Sequence, residues 1–299
     1  MITLSHVSVH FKKFRSEVLK ALDDVTFTVA GGEFFALLGE NGAGKSTAMH
    51  CMLGLTRPTR GSVTLFGQPP TLGSDVYQQI GYLPEEPHHY PAYLTIGEAI
   101  DYYARLYRHA LPPQQRAELL ERLGLAEYRN LRIGKCSKGM KQKVGIAQCL
   151  LAQPRLLFLD EPMRGLDPVG VRDFREVLVD MNRNGCTIVM NSHILGEVES
   201  VATSAAILKR GRLVIQDRLE NLTRDEERYE VSYEGEPLDC VEVIARQNGT
   251  VRAILHPERM ADFLALAAAG SIRLESLQRT HHSLEDTFLA LVGEGDHHA

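Results

Sequence analysis

The chain has 299 residues, 44% of them hydrophobic and 24% charged, and a net charge of −5. That composition excludes a mostly disordered, collagen-like or coiled-coil chain. The length fits two domains, or one large domain with an appendage. A dedicated nucleic-acid binder is usually basic overall or carries a long basic stripe, and this chain does neither. The longest uninterrupted apolar run, Phe263 to Ala269, falls well short of the roughly 18 residues of a spanning helix. The segment from Met1 to His6 lacks the apolar stretch of a signal peptide, so the chain is expected to stay in the cytosol. Cys51, Cys136, Cys149, Cys186 and Cys240 are odd in number and form no C-x-x-C. They read as free thiols in a reducing compartment.

In chain order, Ile2 to Val9 and Val25 to Val29 read as short strands with a basic connection between them. Phe34 to Leu38 is an apolar run of buried-strand type. A glycine loop and a helix over Lys45 to Leu53 follow, then strands at Val63 to Phe66 and Ile80 to Leu83. From Thr95 to Leu123 apolar residues recur at helical spacing, broken at Pro112-Pro113, with a second helix from Gln114. Lys138 to Leu151 is expected as a helix and Leu156 to Leu159 as a buried strand. Helix and strand then alternate over Val169 to Met181, Thr187 to Met190, Leu195 to Val201 and Ala205 to Leu208. This alternation predicts an α/β fold with a mostly parallel sheet. The polar stretch from Asp217 to Arg228 reads as a domain boundary. Beyond it lie expected strands at Tyr229 to Tyr233, Val251 to Leu255 and Ile272 to Leu277. Helices are expected at Val241 to Arg246, Glu258 to Ala268 and Ser283 to Val292, making a small C-terminal α+β domain.

The segment Gly39-Glu-Asn41-Gly42-Ala43-Gly44-Lys45-Ser46-Thr47 fits G-x-x-x-x-G-K-[ST] in the strand–loop–helix context that the motif requires. Glycines let the backbone curl so that its N–H groups converge on phosphate oxygens, and the helix N-terminus adds a favourable field. Lys45 then reaches the β- and γ-phosphates, and the Ser46 hydroxyl ligates Mg²⁺. The run Leu156-Leu157-Phe158-Leu159-Asp160-Glu161 delivers two carboxylates at a strand's C-terminal end, where ligands of α/β sheets sit. Read alone, it is equally a strand end with a helix cap. Beside a phosphate loop, Asp160 reads as the Mg²⁺ holder and Glu161 as the group that polarises the attacking water.

Five further segments give the chain its resemblance to the nucleotide-binding subunits of ATP-binding cassette transporters, in the order seen there. Phe11 stands at the adenine-stacking position. Ile80-Gly81-Tyr82-Leu83-Pro84-Glu85 resembles the Q-loop, with Glu85 where glutamine is usual. Cys136-Ser137-Lys138-Gly139-Met140-Lys141-Gln142 resembles the signature motif. Met163-Arg164-Gly165-Leu166-Asp167-Pro168 resembles the D-loop, and Asn191-Ser192-His193 the switch histidine segment. The match covers about residues 1–220 and implies a P-loop ATPase core with an antiparallel β subdomain and a helical subdomain at about 90–152.

The resemblance further implies two copies, or one copy and a close relative, closing head to tail around two ATP molecules. Ser137, Gly139 and Asp167 then serve the nucleotide of the partner, His193 supports the γ-phosphate, and Glu85 joins Ser46 and Asp160 at Mg²⁺. It also implies a multi-span membrane permease as partner, a place on the cytoplasmic face of the membrane, and no nucleic acid. Tyr90 and Tyr93, with Tyr102, Tyr103 and Tyr107, lie where such a permease docks. The segments Ser137 to Gln142, Gly81 to Glu86 and Ser283 to Phe288 resemble the exporter branch that moves drugs, lipids or polysaccharides.

Two other classes of the same ATPase fold fit the sequence less well. DNA-acting members carry large insertions between phosphate loop and signature, for which Lys45 and Ser137 stand too close in sequence. Translation-associated members usually carry two cassettes per chain, and this chain has one phosphate loop. The tail from about residue 227 is expected as an accessory or regulatory domain. The apolar stripe of its last helix, Leu284, Phe288, Leu289 and Leu291-Val292, fits either a cap on the tail's own sheet or a contact with a twin tail.

Overall fold

The computed structural model describes residues 1–12, 18–71, 73–85, 90–223, 228–247, 249–280 and 283–293. It divides into two units, Met1–Leu219 and Glu220–Ala299. The first unit opens with β1 (Ile2–Lys12) and β2 (Val18–Val29), paired antiparallel. Along β2, buried Val25, Phe27 and Val29 alternate with exposed Asp24, Thr26 and Thr28, so one face packs and the other meets water. Next come β3 (Phe34–Leu38), α1 (Lys45–Met52) and β4 (Arg60–Leu65). β4 pairs with the free edge of β1, giving a three-stranded antiparallel sheet in the order β2-β1-β4.

β5 (Ile80–Leu83) leads into the helical part of this unit. There α2 (Ile96–Ala104) starts at a reciprocal cap: the Thr95 hydroxyl accepts the Glu98 N–H, and the Glu98 carboxylate accepts the Thr95 N–H. α3 (Pro113–Arg122) carries proline at its first position, where the missing N–H costs nothing. α4 (Lys138–Leu150) is capped by Ser137, whose hydroxyl accepts the Met140 N–H at 3.2 Å. The remaining elements of the unit are β6 (Leu156–Asp160), α5 (Pro168–Arg183), β7 (Thr187–Asn191), α6 (Leu195–Glu199), β8 (Ser204–Lys209) and β9 (Arg212–Arg218).

The central sheet has the order β5-β6-β7-β3-β8-β9 and is parallel except for β9. Every residue of β3, β6 and β7 is buried, as a parallel strand covered on both faces requires. Because β5, β6, β7 and β3 run the same way, the loops that leave their C-terminal ends open on one edge of the sheet. β9 was not anticipated from sequence. It returns on β8 through Arg210-Gly211, both at positive φ (49° and 79°), the backbone of a two-residue hairpin turn.

α7 (Leu219–Leu222) stands at the unit boundary. The second unit contains β10 (Arg228–Glu234), β11 (Glu242–Gln247), β12 (Thr250–Leu255), α8 (Met260–Ala268), β13 (Arg273–Thr280) and α9 (Leu284–Gly293). Its antiparallel sheet has the order β11-β12-β10-β13. The helix expected over Val241 to Arg246 is instead the edge strand β11, exposed along its whole length. Val243 and Ile244 are both exposed, so neither face of the strand leaves a diagnostic period in the sequence.

Val231, Tyr233, Val251, Ala253, Leu255, Phe263 and Ile272 form this unit's own core, with the Tyr233 and Phe263 rings 5.7 Å apart, edge to face. α9 buries Leu284 and Val292, whereas Leu289 is 57% exposed. It begins at a second reciprocal cap, in which the Ser283 hydroxyl accepts the Asp286 N–H and the Asp286 carboxylate accepts the Ser283 N–H. Among the described residues no helix is long and apolar enough to cross a membrane.

Candidate nucleotide site

β3 ends at Leu38, and the chain turns through Gly39, Gly42 and Gly44 before α1 begins. Gly44 has φ 106°, and a Cβ there would lie 2.6 Å from the Ala21 carbonyl oxygen and 2.8 Å from Leu22 Cδ2. Conformation and space both demand glycine. No side chain caps α1 and no acidic residue lies in its first turn. Its leading N–H groups are therefore left for an anion.

Lys45, only 7% exposed, folds back so that its ammonium donates to the carbonyls of Gly39 (2.7 Å) and Glu40 (3.0 Å). Burial lowers its pKa below the ordinary lysine value, while the carboxylates of Glu161 and Asp160 act in the opposite sense.

The neighbouring strand ends complete the arrangement. β6 closes on buried Asp160, paired in register with Asn191 at the end of β7. Glu161 follows at φ 47°, a left-handed conformation uncommon for a non-glycine residue. It is held there because its N–H donates to the Asn191 side-chain oxygen (2.9 Å) and the Asn191 carbonyl (3.2 Å). Its carboxylate Oε2 lies 2.8 Å from His193 Nδ1. The buried Asn191 thus holds a left-handed turn that presents the Glu161 carboxylate to His193.

These groups border an open cavity of about 550 Å³. It is lined by Phe11, Asn41, Gly42, Gly44, Lys45, Ser46, Thr47, Glu85, Asp160, Glu161 and His193, all anticipated from sequence. Gly39 and Ala43 shape the loop from behind, Ala43 N–H donating to the Glu40 carbonyl at 3.0 Å. Phe11 is 43% exposed on β1 beside Leu19 of β2, with which it is in register. Its ring is therefore free at the cavity wall rather than packed in the core.

Asn191, Arg164 and Lys20 line the same cavity and were not singled out from sequence. Asn191 had a signal, two positions before His193. Lys20 had none, because β2 extends seven residues further toward the N-terminus than the pattern indicates.

Ser137, Gly139 and Asp167 do not line this cavity. Ser137 caps α4, and Asp167 caps α5, accepting the Gly170 N–H at 2.7 Å. A Cβ on Gly139 would meet the Gly165 carbonyl oxygen at 2.8 Å, so the start of α4 lies tight against the loop that leads to Asp167.

Of the tyrosines, Tyr90 is half-buried, donating to Gln148 Oε1 at 2.6 Å and meeting Tyr103 edge to face. Tyr93 is 73% exposed. The described residues contain no cluster of three or more His, Cys, Asp or Glu side chains suited to a metal. His281, His282, His297 and His298 lie outside the described residues.

Phosphate loop, acidic strand end and histidine on one parallel-sheet edge define a P-loop ATPase. The model of the ABC transporter family matches residues 22–164. The chain is 37% identical over 286 residues to an uncharacterised ABC transporter ATP-binding protein of Nostoc sp., covering 92% of this chain and 84% of that one. It is 34% identical over 277 residues to a fluoroquinolones export ATP-binding protein of Mycobacterium tuberculosis, with coverages of 91% and 88%. The dimeric ATP-binding cassette MJ0796, solved in a post-hydrolysis state with ADP and Pi, superimposes with a TM-score of 0.64 at 25% identity, over 73% of this chain and 99% of that one. The chain belongs to the ABC transporter family. Within it, the chain is an ATP-binding, ATP-hydrolysing subunit of a membrane transporter.

Proposed function

We propose that the cavity bordered by Lys45, Ser46, Asp160, Glu161 and His193 holds the triphosphate of ATP, and that two chains close on it head to tail to drive export. The observation that carries this reading is the division of the motifs. Lys45, Asp160, Glu161 and His193 share one cavity, while Ser137, Gly139 and Asp167 lie outside it on the same unit. A second copy supplies the second set.

Lys45 and the uncapped N-terminus of α1 bind the β- and γ-phosphates. Glu161, fixed by Asn191, orients and polarises the attacking water, and His193 supports Glu161 and the charge that develops on the γ-phosphate. The hydroxyl of Ser46 and the carboxylates of Asp160 and Glu85 are the hard oxygen donors that Mg²⁺ prefers. Bound there, Mg²⁺ would neutralise phosphate charge. Phe11 offers a free ring face to adenine. Exposed Tyr93 and Tyr102 are available to a membrane subunit on the cytoplasmic side. The accessory role of residues 227–299 rests on their separate core.

Export is supported by the Ser137 to Gln142 and Ser283 to Phe288 segments and by the fluoroquinolones export relative. Light scattering of the purified chain tests the reading. Mg²⁺ and ATP should convert a monomer to a dimer that decays as ATP is hydrolysed. A chain that hydrolyses ATP with no change of mass under any nucleotide condition would refute head-to-tail closure.

A further inference from the structure

Glu85 brings a negative charge to a position where a neutral glutamine is usual, and the structure sets a cation against it. β5 and β6 are adjacent and parallel, with Leu83 and Leu159 in register, so the loops beyond them leave the sheet side by side. Across that gap Arg164 Nη1 donates to Glu85 Oε1. A tight turn fixes Arg164: its N–H donates to the Glu161 carbonyl and the Leu166 N–H to the Met163 carbonyl, both at 3.2 Å. Both side chains line the nucleotide cavity.

The charges of that cavity decide what the pair is for. Its carboxylates are Glu85, Asp160 and Glu161, and its permanent cations are Lys20, Lys45 and Arg164. Lys45 sits in the field of Glu161 and Asp160. Lys20 lies on the antiparallel sheet, 3.9 Å from Asp23. Without Arg164, Glu85 would turn an unbalanced charge on an incoming polyphosphate. The pair is not a stability device, because its side chains are 51% and 43% exposed and such open pairs add little to folding.

We propose that Arg164 is a charge-balancing positioning residue. Paired with Glu85, it makes a glutamate compatible with a bound triphosphate and stands in for the neutral side chain usual at that position. The fork of guanidinium donors lets Arg164 hold Glu85 and still face phosphate. This rests on the reading of the cavity as the nucleotide site.

The test is a double-mutant cycle read as ATP affinity by titration calorimetry on the full chain, with Mg²⁺ chelated and again with Mg²⁺ present. Arg164→Ala should weaken ATP binding about tenfold at low salt, the loss shrinking as ionic strength rises. Arg164→Lys should retain most of the affinity, and with Mg²⁺ chelated, where Glu85 has no metal to hold, Glu85→Gln should bind at least as tightly as the parent. Adding Glu85→Gln to Arg164→Ala should recover most of the loss, which a merely structural arginine would not allow. The proposal is overturned if, with Mg²⁺ chelated, Arg164→Ala binds as the parent does, or the double variant is as weak as Arg164→Ala alone. A parent that binds no ATP would sink the nucleotide-site reading itself, and this proposal with it.

Discussion

Replacing Glu161 by glutamine removes one charge and almost nothing else. The backbone at this position is held by Asn191 through two hydrogen bonds from the Glu161 N–H, so the left-handed turn should persist. The amide has the volume of the carboxylate and can still meet His193 Nδ1, now 2.8 Å from Oε2. What is lost is the negative charge and basicity that the proposed role in polarising water requires. A positioned base contributes ~10²–10⁴ in rate, which corresponds to roughly 3–6 kcal/mol of activation barrier at about 1.4 kcal/mol per decade. The charge removed also offset part of the positive field of Lys45, so ATP should bind at least as tightly. The expected result is ATP hydrolysis slowed by two to four orders of magnitude in a phosphate-release assay, with a persistent ATP-bound dimer. Thermal unfolding should stay within a few degrees of the parent. Hydrolysis at the parental rate by a properly folded variant would refute the assignment of Glu161, and with it the role given to the Asn191 brace.

Lys45→Ala should abolish measurable ATP binding in an equilibrium titration, because it removes the buried cation that closes the loop on Gly39 and Glu40; retained affinity would remove Lys45 from the site. Ser137→Arg should leave ATP binding by the monomer intact yet prevent the ATP-bound dimer in light scattering, while the lost cap on α4 costs about 1 kcal/mol of stability. A monomer that loses ATP affinity would place Ser137 in its own site and refute head-to-tail closure. Truncation after Leu222 should yield a folded, ATP-binding fragment with weakened dimerisation, since the second unit packs on a core of its own; an unfolded fragment would end the accessory reading of the tail.

Phosphate chemistry is legible in sequence because it is done largely by backbone. A loop that presents N–H groups needs glycine at fixed spacing, then a helix start with Lys and Ser, and contiguous residues carry all of it. Gly44 illustrates the point, since its φ and its closeness to Ala21 both forbid a side chain. The wholly buried strands β3, β6 and β7 were legible for a similar reason, as burial on both faces leaves an unbroken apolar run.

Elements that depend on a neighbour rather than on burial were not legible. The edge strand β11 is exposed throughout, so its pairing with β12 left no periodic trace. The Asn248-Gly249 dipeptide after it, a hairpin signal, was the available clue. β9 turns on Arg210, a residue type not expected at positive φ.

The site divides along the same line. From sequence alone came the phosphate loop, the two carboxylates, the histidine and the order of the motifs. Tertiary structure alone decided that Asn191 braces Glu161 and that Arg164 meets Glu85, residues 30 and 79 positions apart in the chain. Neither contact has a local pattern. Each exists because parallel strands distant in sequence end on one edge of a sheet, and only the order β5-β6-β7-β3 determines which chain ends become neighbours.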